Sequence, residues 1–182
     1  YFVVIFSNEN LNLNLENVYV LNTEDPHNKK IQIYLISISC FFINSASGPA
    51  FIANLFNTPS INTNFFPLSQ SIGYKENDIT VPKKIYDNIQ KKVIKFTEVF
   101  SSDLCFDASS RALERKNLST IGNDPEDILN AAKEMILLLK NKNVSSSNLQ
   151  NHYKSLLNNR IGCFYGLGNV SNFYLEKNKE FI

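Results

Sequence analysis

The sequence predicts an α/β fold built on a parallel sheet, and three observations carry that prediction. Short, continuous apolar runs recur at Phe2–Phe6, Val18–Leu21 and Cys40–Asn44, as in strands covered on both faces. The intervals between them suit crossovers better than hairpin turns. At Cys40–Ile52 an apolar run breaks into Ser45-Ala46-Ser47-Gly48-Pro49 and then resumes at helical spacing, which reads as strand, tight turn and helix.

Taken in order, Phe2–Phe6 is the first strand, expected to be buried on both faces. It follows Tyr1 directly, which reads as a fragment or a processed chain. Residues 7–17 are polar and Asn-rich and read as a loop. Val18–Leu21 is the second strand, and Asp25-Pro26 is a turn signal. In Lys29–Ser39 the periodicity fits helix and strand alike, and the spacing between strands favours a crossover helix. Cys40–Asn44 is the third strand, Pro49–Phe56 a helix stopped by Asn57-Thr58-Pro59, and Ser60–Thr63 a fourth short strand. This βαβαβ rhythm implies right-handed connections, with ligands outside the carboxyl ends of the strands.

Further on, residues 64–84, with Pro67, Gly73 and Pro82, read as a long surface loop. Lys92–Phe96 reads as a strand and Thr97–Phe100 as the turn behind it, while residues 101–120 stay ambiguous. The clearest helix start is Asn123-Asp124-Pro125-Glu126-Asp127, with a cap, a first-position proline and a capping partner. Ile128, Ala131, Ala132, Met135, Leu138 and Leu139 then repeat at helical spacing to about Asn141. Asn148–Leu157 is another helix, and Ser171 caps a last one running to Phe181. Two regions result: residues 1–122 form the sheet domain, and residues 123–182 a helical C-terminal extension that packs on it.

Composition excludes several functions. The net charge is +1 and no basic stripe exists, so nothing follows a nucleic-acid backbone. The three cysteines are widely spaced and form neither a disulfide framework nor a C-x-x-C site, which points to a reducing compartment. The longest apolar runs are too short and too polar to span a bilayer. No cluster of His, Cys and carboxylates has metal-ligand spacing, and no D-x-D lies near a strand end, so no metal is expected.

The candidate site is the turn Ser45, Ala46, Ser47, Gly48 and Pro49. Amides left unpaired at a helix start hold phosphate, glycine lets a ligand approach the backbone, and serine hydroxyls add hydrogen bonds. A strand-to-helix turn with serine as N-cap is also ordinary architecture. The turn has no Gly-Lys-Ser/Thr and no G-x-G-x-x-G, which argues against an NTPase and a typical dinucleotide enzyme. His27 and His152 are isolated. Lys29-Lys30, Lys83-Lys84 and Lys91-Lys92 read as solvated faces, any one of which is able to face a phosphate.

The order of segments resembles the C-terminal half of a family of bacterial glycosyltransferases linked to surface-polysaccharide synthesis. That family has two Rossmann domains in the GT-B arrangement. Ile33-Tyr34 through Ser47-Gly48-Pro49 is similar to its strand and "S-S-G-P-S" turn. Phe56-Asn57-Thr58-Pro59 with Thr63-Asn64-Phe65-Phe66-Pro67-Leu68 resembles its "F-G-x-P … T-N-W-x-P-L" segment. Asn77-Asp78-Ile79-Thr80-Val81-Pro82-Lys83, Lys95-Phe96-Thr97-Glu98, Asp124-Pro125-Glu126-Asp127-Ile128-Leu129 and Val170-Ser171-Asn172-Phe173-Tyr174-Leu175-Glu176-Lys177 follow in the same order as further family segments.

The resemblance implies a Rossmann-like domain whose Ser45–Pro49 turn faces the diphosphate of a nucleotide-sugar donor. Ser7, Asn62, Thr63, Asn64, Thr97 and Glu98 would line the rest of the donor cleft. It also implies a glycan acceptor held by an N-terminal domain outside this segment, no cofactor beyond the donor substrate, and a cytoplasmic or membrane-peripheral location. Two positions depart from the pattern. Ile5 stands where the family strand carries an arginine, which would clamp phosphate oxygens in bidentate fashion. Asn57 stands for a glycine, and asparagine also tolerates a left-handed backbone. The first departure favours the alternative reading, a degenerate or truncated α/β module with a structural or interaction role.

Overall fold

The computed structural model describes every residue except Tyr1, Asn10, Ala46, Ala108, residues 142–146 and residues 158–160. Among the described residues it is a mixed α/β fold with parallel strands and flanking helices. Strands β1 (Val3–Ser7) and β2 (Val18–Asn22) pair in parallel, Val3 opposite Val18 and Ser7 opposite Asn22. Helix α1 (Pro26–Ile38) crosses to β3 (Phe42–Ser45), and α2 (Gly48–Leu55) crosses to β4 (Ser60–Phe65). β5 (Ile79–Pro82) extends this second sheet, and β9 (Asn169–Val170) closes it in the order β3-β4-β5-β9, all parallel.

A third, antiparallel sheet has the order β7-β6-β8, from β6 (Lys84–Asp87), β7 (Lys92–Val93) and β8 (Leu118–Ile121). The remaining helices are α3 (Phe96–Ser101), α4 (Ser110–Glu114), α5 (Pro125–Asn141), α6 (Asn148–Ser155) and α7 (Asn172–Lys177).

The core gathers around β4 and β5. Ile61, Ile79 and Val81 pack with Phe96, Phe100, Met135, Tyr153 and Leu175, all nearly or fully buried. Tyr153 meets Phe96 and Phe100 edge-on, with ring centroids 5.4 and 5.5 Å apart, a geometry favoured by the ring quadrupoles. Its hydroxyl lies 3.0 Å from Ser71 Oγ, so the polar tip of this buried ring has a partner.

A buried carboxylate ties the amino-terminal ends of the central strands together. Asp78 Oδ1 accepts the Ser60 N–H at 3.0 Å, and its Oδ2 accepts the Lys75 N–H at 3.2 Å. Lys75 pairs with Asp78 at 3.4 Å and donates to the carbonyls of Ala53 in the last turn of α2 and of Thr58 beyond it. The backbone carbonyl of Asp78 receives the Asn169 N–H at 2.9 Å, which starts β9. Burial pushes the Asp78 carboxyl above its ordinary value, while Lys75 and the two amides pull it down.

The structure corrects several expectations. Residues 64–84 are not a surface loop: they contain the end of β4, a 3-10 turn at Leu68–Gln70 and the fully buried β5. Prolines and polar residues suggested a loop there, but each proline sits at a strand end or turn. β1 is not covered on both faces, since Val3 is 53% exposed. The expected strand at Lys92–Phe96 shortens to β7, and α3 replaces the expected turn. Residues 123–182 supply β9 to the central sheet as well as helices. As expected, α5 starts at Pro125: the Asp127 N–H donates to Asp124 Oδ1 at 3.0 Å, and the Asp124 N–H to Asp127 Oδ2 at 3.2 Å. Ser171 caps α7 as expected, accepting the Tyr174 N–H.

Asp78→Ala strands the Ser60 and Lys75 amides and leaves the Lys75 ammonium without its carboxylate. The expected loss, read by urea unfolding, is about 2–4 kcal/mol. A second prediction concerns pH. The Lys177 ammonium bonds Asp124 and holds its carboxyl below the ordinary 3.8. A depressed folded value contributes stability above the unfolded value and loses it as pH falls through the folded one. Lys177→Met is therefore less stable than wild type near neutrality, and the gap closes as pH drops below about 3.8.

Candidate functional site

The carboxyl ends of β1 and β2, together with the first turns of α1 and α2, enclose a cleft of about 640 Å3. Phe6 and Asn8 come from the end of β1, and Thr23 and Glu24 follow β2. Lys29, Gln32 and Ile33 project from α1, and Ser47, Gly48, Pro49 and Ile52 from the start of α2. Local sequence explains the placement. Asp25 caps α1 by accepting the His27 N–H at 2.8 Å, with Pro26 in the first turn, so Lys29 falls one turn into the helix. Pro49 is the second residue of α2, which starts at Gly48.

The start of α2, like that of α3 behind Lys95, has no side-chain cap, and it alone of the two opens onto the cleft. Ser47 is the N-cap residue, extended at φ −131° and ψ 164°, yet its side chain caps nothing. Asp25, Ser109, Ser147 and Ser171 all accept a backbone N–H at their helices. Within the first turn of α2, Pro49 has no N–H and the Ala50 N–H bonds the Ser47 carbonyl at 3.0 Å. The Gly48 N–H has no partner among the described residues. A Cβ at Gly48 would meet nothing within 4 Å, and among the described residues no glycine has a positive φ. Neither packing nor backbone conformation therefore requires glycine there.

Two opposite charges share the cleft without pairing. Lys29 and Glu24 are both exposed, and neither makes an ion pair among the described residues. Some polar groups of the wall are tied to their neighbours. Thr23 Oγ1 donates to Asn8 Oδ1 at 2.5 Å, and the Glu24 N–H donates to Asn22 Oδ1 at 2.9 Å.

Of the residues expected at a donor site, the structure brings together Ser47, Gly48 and Pro49. Ser45 ends β3 with an exposed side chain beside the cleft but not lining it, and Ala46 lies outside the described residues. Ser7 ends β1 next to Phe6 and Asn8, where its Oγ accepts the Glu9 N–H at 2.9 Å. Asn62 and Thr63 are buried inside the sheet. Asn62 Oδ1 accepts from Asn44 Nδ2 at 3.1 Å, and Thr63 Oγ1 donates to the Asn44 carbonyl at 3.1 Å. Asn64, at φ 50°, exchanges bonds with Asn123 and fixes the approach to α5. Thr97 and Glu98 lie exposed on α3, away from the cleft lining.

Glu24 is the functional candidate that the sequence reading missed. A carboxylate just past a strand end and before a capped helix was the available signal. Among the described residues no group of three or more His, Cys, Asp or Glu converges as a metal site, and no helix is long and apolar enough to cross a membrane. No family model matches the chain, and neither a curated protein nor a solved structure does.

Since Ser47 caps nothing, Ser47→Ala is expected to leave the unfolding free energy within about 0.5 kcal/mol of wild type. Ser171→Ala, which removes a working cap, is expected to cost about 1 kcal/mol in the same assay.

Proposed function

We propose that the cleft is the nucleotide-sugar site of a Rossmann-like donor-binding domain, part of a bacterial glycosyltransferase of the surface-polysaccharide type. One observation carries the reading: the uncapped start of α2, with a glycine that the fold does not require, opens onto a cleft that also holds the unpaired Lys29. Fold class and motif order support it in a general way.

In this reading the diphosphate lies against the Gly48 N–H, the Ser47 hydroxyl and the Lys29 ammonium. Sugar transfer breaks the bond between the anomeric carbon and the diphosphate oxygen, and negative charge grows on that oxygen. Donors already aimed at it stabilise the leaving group without reorganising. Glu24, whose carboxylate has no partner among the described residues, receives hydroxyl donors of the ligand from the same lining. The acceptor glycan and the base that activates it come from a further domain.

A second reading, a binding or structural module without catalysis, is favoured by β1. Ile5 occupies the position of the family arginine, and β1 contributes to the cleft the apolar ring of Phe6. Pro49 also removes one amide from the helix start. Lys29 is the cation that compensates in the first reading.

Calorimetric titration with uridine, cytidine, guanosine and adenosine diphosphates separates the two. The donor-site reading expects one of them to bind. Gly48→Val and Lys29→Ala should each weaken it about tenfold, or about 1.4 kcal/mol. The Cβ that Gly48→Val adds meets no atom of the fold within 4 Å. Absence of binding by all four overturns the donor site.

A further inference from the structure

We infer that a second copy of this chain covers the outer face of α1 and α2. Each helix carries an apolar pair on the side away from its buried residue. Phe51 and Leu55 lie two residues either side of Ala53, which is fully buried, and two residues turn an α-helix by about 200°. Phe51 is 73% exposed and Leu55 82%. In α1, Tyr34 and Ile38 flank the buried Ile36 in the same way, and both are more than half exposed. The two pairs form one surface, because the helices pack side by side and run in one direction. Their first turns share the cleft. At the other end Thr58, beyond α2, donates to the Ile36 carbonyl in the last turn of α1. Phe56, at the end of α2 and also more than half exposed, extends the surface.

A helix with water on one side carries polar residues there. α2 holds no charged residue, and Asn54 is its only polar one, so its composition is that of a helix covered on both sides. The five exposed side chains offer on the order of 600 Å2, beside the roughly 800 Å2 that each partner gives to a standard interface. The exposed Asn54, Asn57 and Lys30 at the rim supply further area. The face also suits its own copy. A two-fold axis lying in the face and across the helices sets each helix antiparallel on its twin, apolar pair on apolar pair, with no charged residue among them. The same arrangement brings Lys30, near the start of α1, to the carbonyl end of α1 in the second copy. The last turn of α1 holds no basic residue, so a cation is favourable there. A lipid surface fits less well, since it selects basic residues beside the apolar face and α2 has none.

Sedimentation equilibrium of the full chain over a wide range of concentration tests the contact. Wild type is expected to pass from monomer to dimer as concentration rises. Leu55→Glu puts a charge in the face and is expected to stay monomeric, while Leu137→Glu, at an exposed position of α5, leaves the dimer intact. Circular dichroism at low concentration checks that each variant folds as wild type does. Leu55→Asn, which adds no charge, decides the matter if Leu55→Glu does not fold: it is expected to raise the dissociation constant about tenfold or more. Lys30→Glu is expected to weaken the dimer as well, by less in high salt. A wild type that stays monomeric at every concentration overturns the proposal, and one that instead floats with vesicles of mixed neutral and anionic lipid assigns the face to a membrane. A dimer that both Leu55 variants leave intact overturns it too, since the contact then lies elsewhere. An unchanged constant in Lys30→Glu overturns the antiparallel order.

Discussion

The Asp78 carboxylate is the interaction on which the central sheet depends. It accepts the first amide of β4 and an amide of the loop that leads into β5, and it pairs with the lysine that satisfies carbonyls at the end of α2. Its own carbonyl starts β9. Three stretches of the chain, residues 53–60, residues 75–78 and Asn169, meet at the amino-terminal side of the sheet through one residue. A buried charge is tolerable there because opposite charge and backbone donors surround it. Gly73 belongs to the same junction: a Cβ there would lie 2.3 Å from Asp78 Cβ, so a larger residue would displace the carboxylate.

With the amino-terminal side sealed in this way, the carboxyl-terminal side is free to vary. Its helix starts are treated unequally. At α5, Asp124, Asp127 and Lys177 fill the positive end of the helix with internal partners, and the two carboxylates raise the Lys177 ammonium in turn. At α7, Glu134 accepts the amides of Asn172 and Phe173, and Ser171 that of Tyr174. At α2, as at α3, no side chain does this, and the space in front of α2 is the cleft. Within the sheet Asn44, Asn62 and Thr80 stand in register across β3, β4 and β5 as an interior polar row, in which Asn44 Nδ2 bonds Asn62 Oδ1 while Asn44 Oδ1 and Thr80 Oγ1 have no partner among the described residues.

The parallel α/β class, α2 and α5 were legible because apolar runs, caps and prolines are local signals. Asp124-Pro125 and Asp25-Pro26 are the same signal, cap followed by a first-turn proline. The first was read as a helix start and the second as a turn, because no clear amphipathic repeat follows Pro26. β9 is two residues long, and its pairing depends on Asp78 and Thr80 far away in sequence, so no local pattern marks it. Residues 62–64 pointed to the cleft because they sit at a strand end. What decided otherwise was the identity of their neighbours, Asn44 and Asn123, which only the fold reveals. Glu24 and Lys29 became candidates for the converse reason: each looks like an ordinary surface charge until the cleft sets them in one lining.

The central claim is that the start of α2 is kept open for an anionic ligand. Backbone amide chemical shifts during a titration with uridine diphosphate test it most directly. The account predicts that the Gly48 amide moves most, with Lys29 and Phe6 following at the same midpoint. A response centred on the start of α5 at Asp124, or spread without focus over surface lysines, would contradict it.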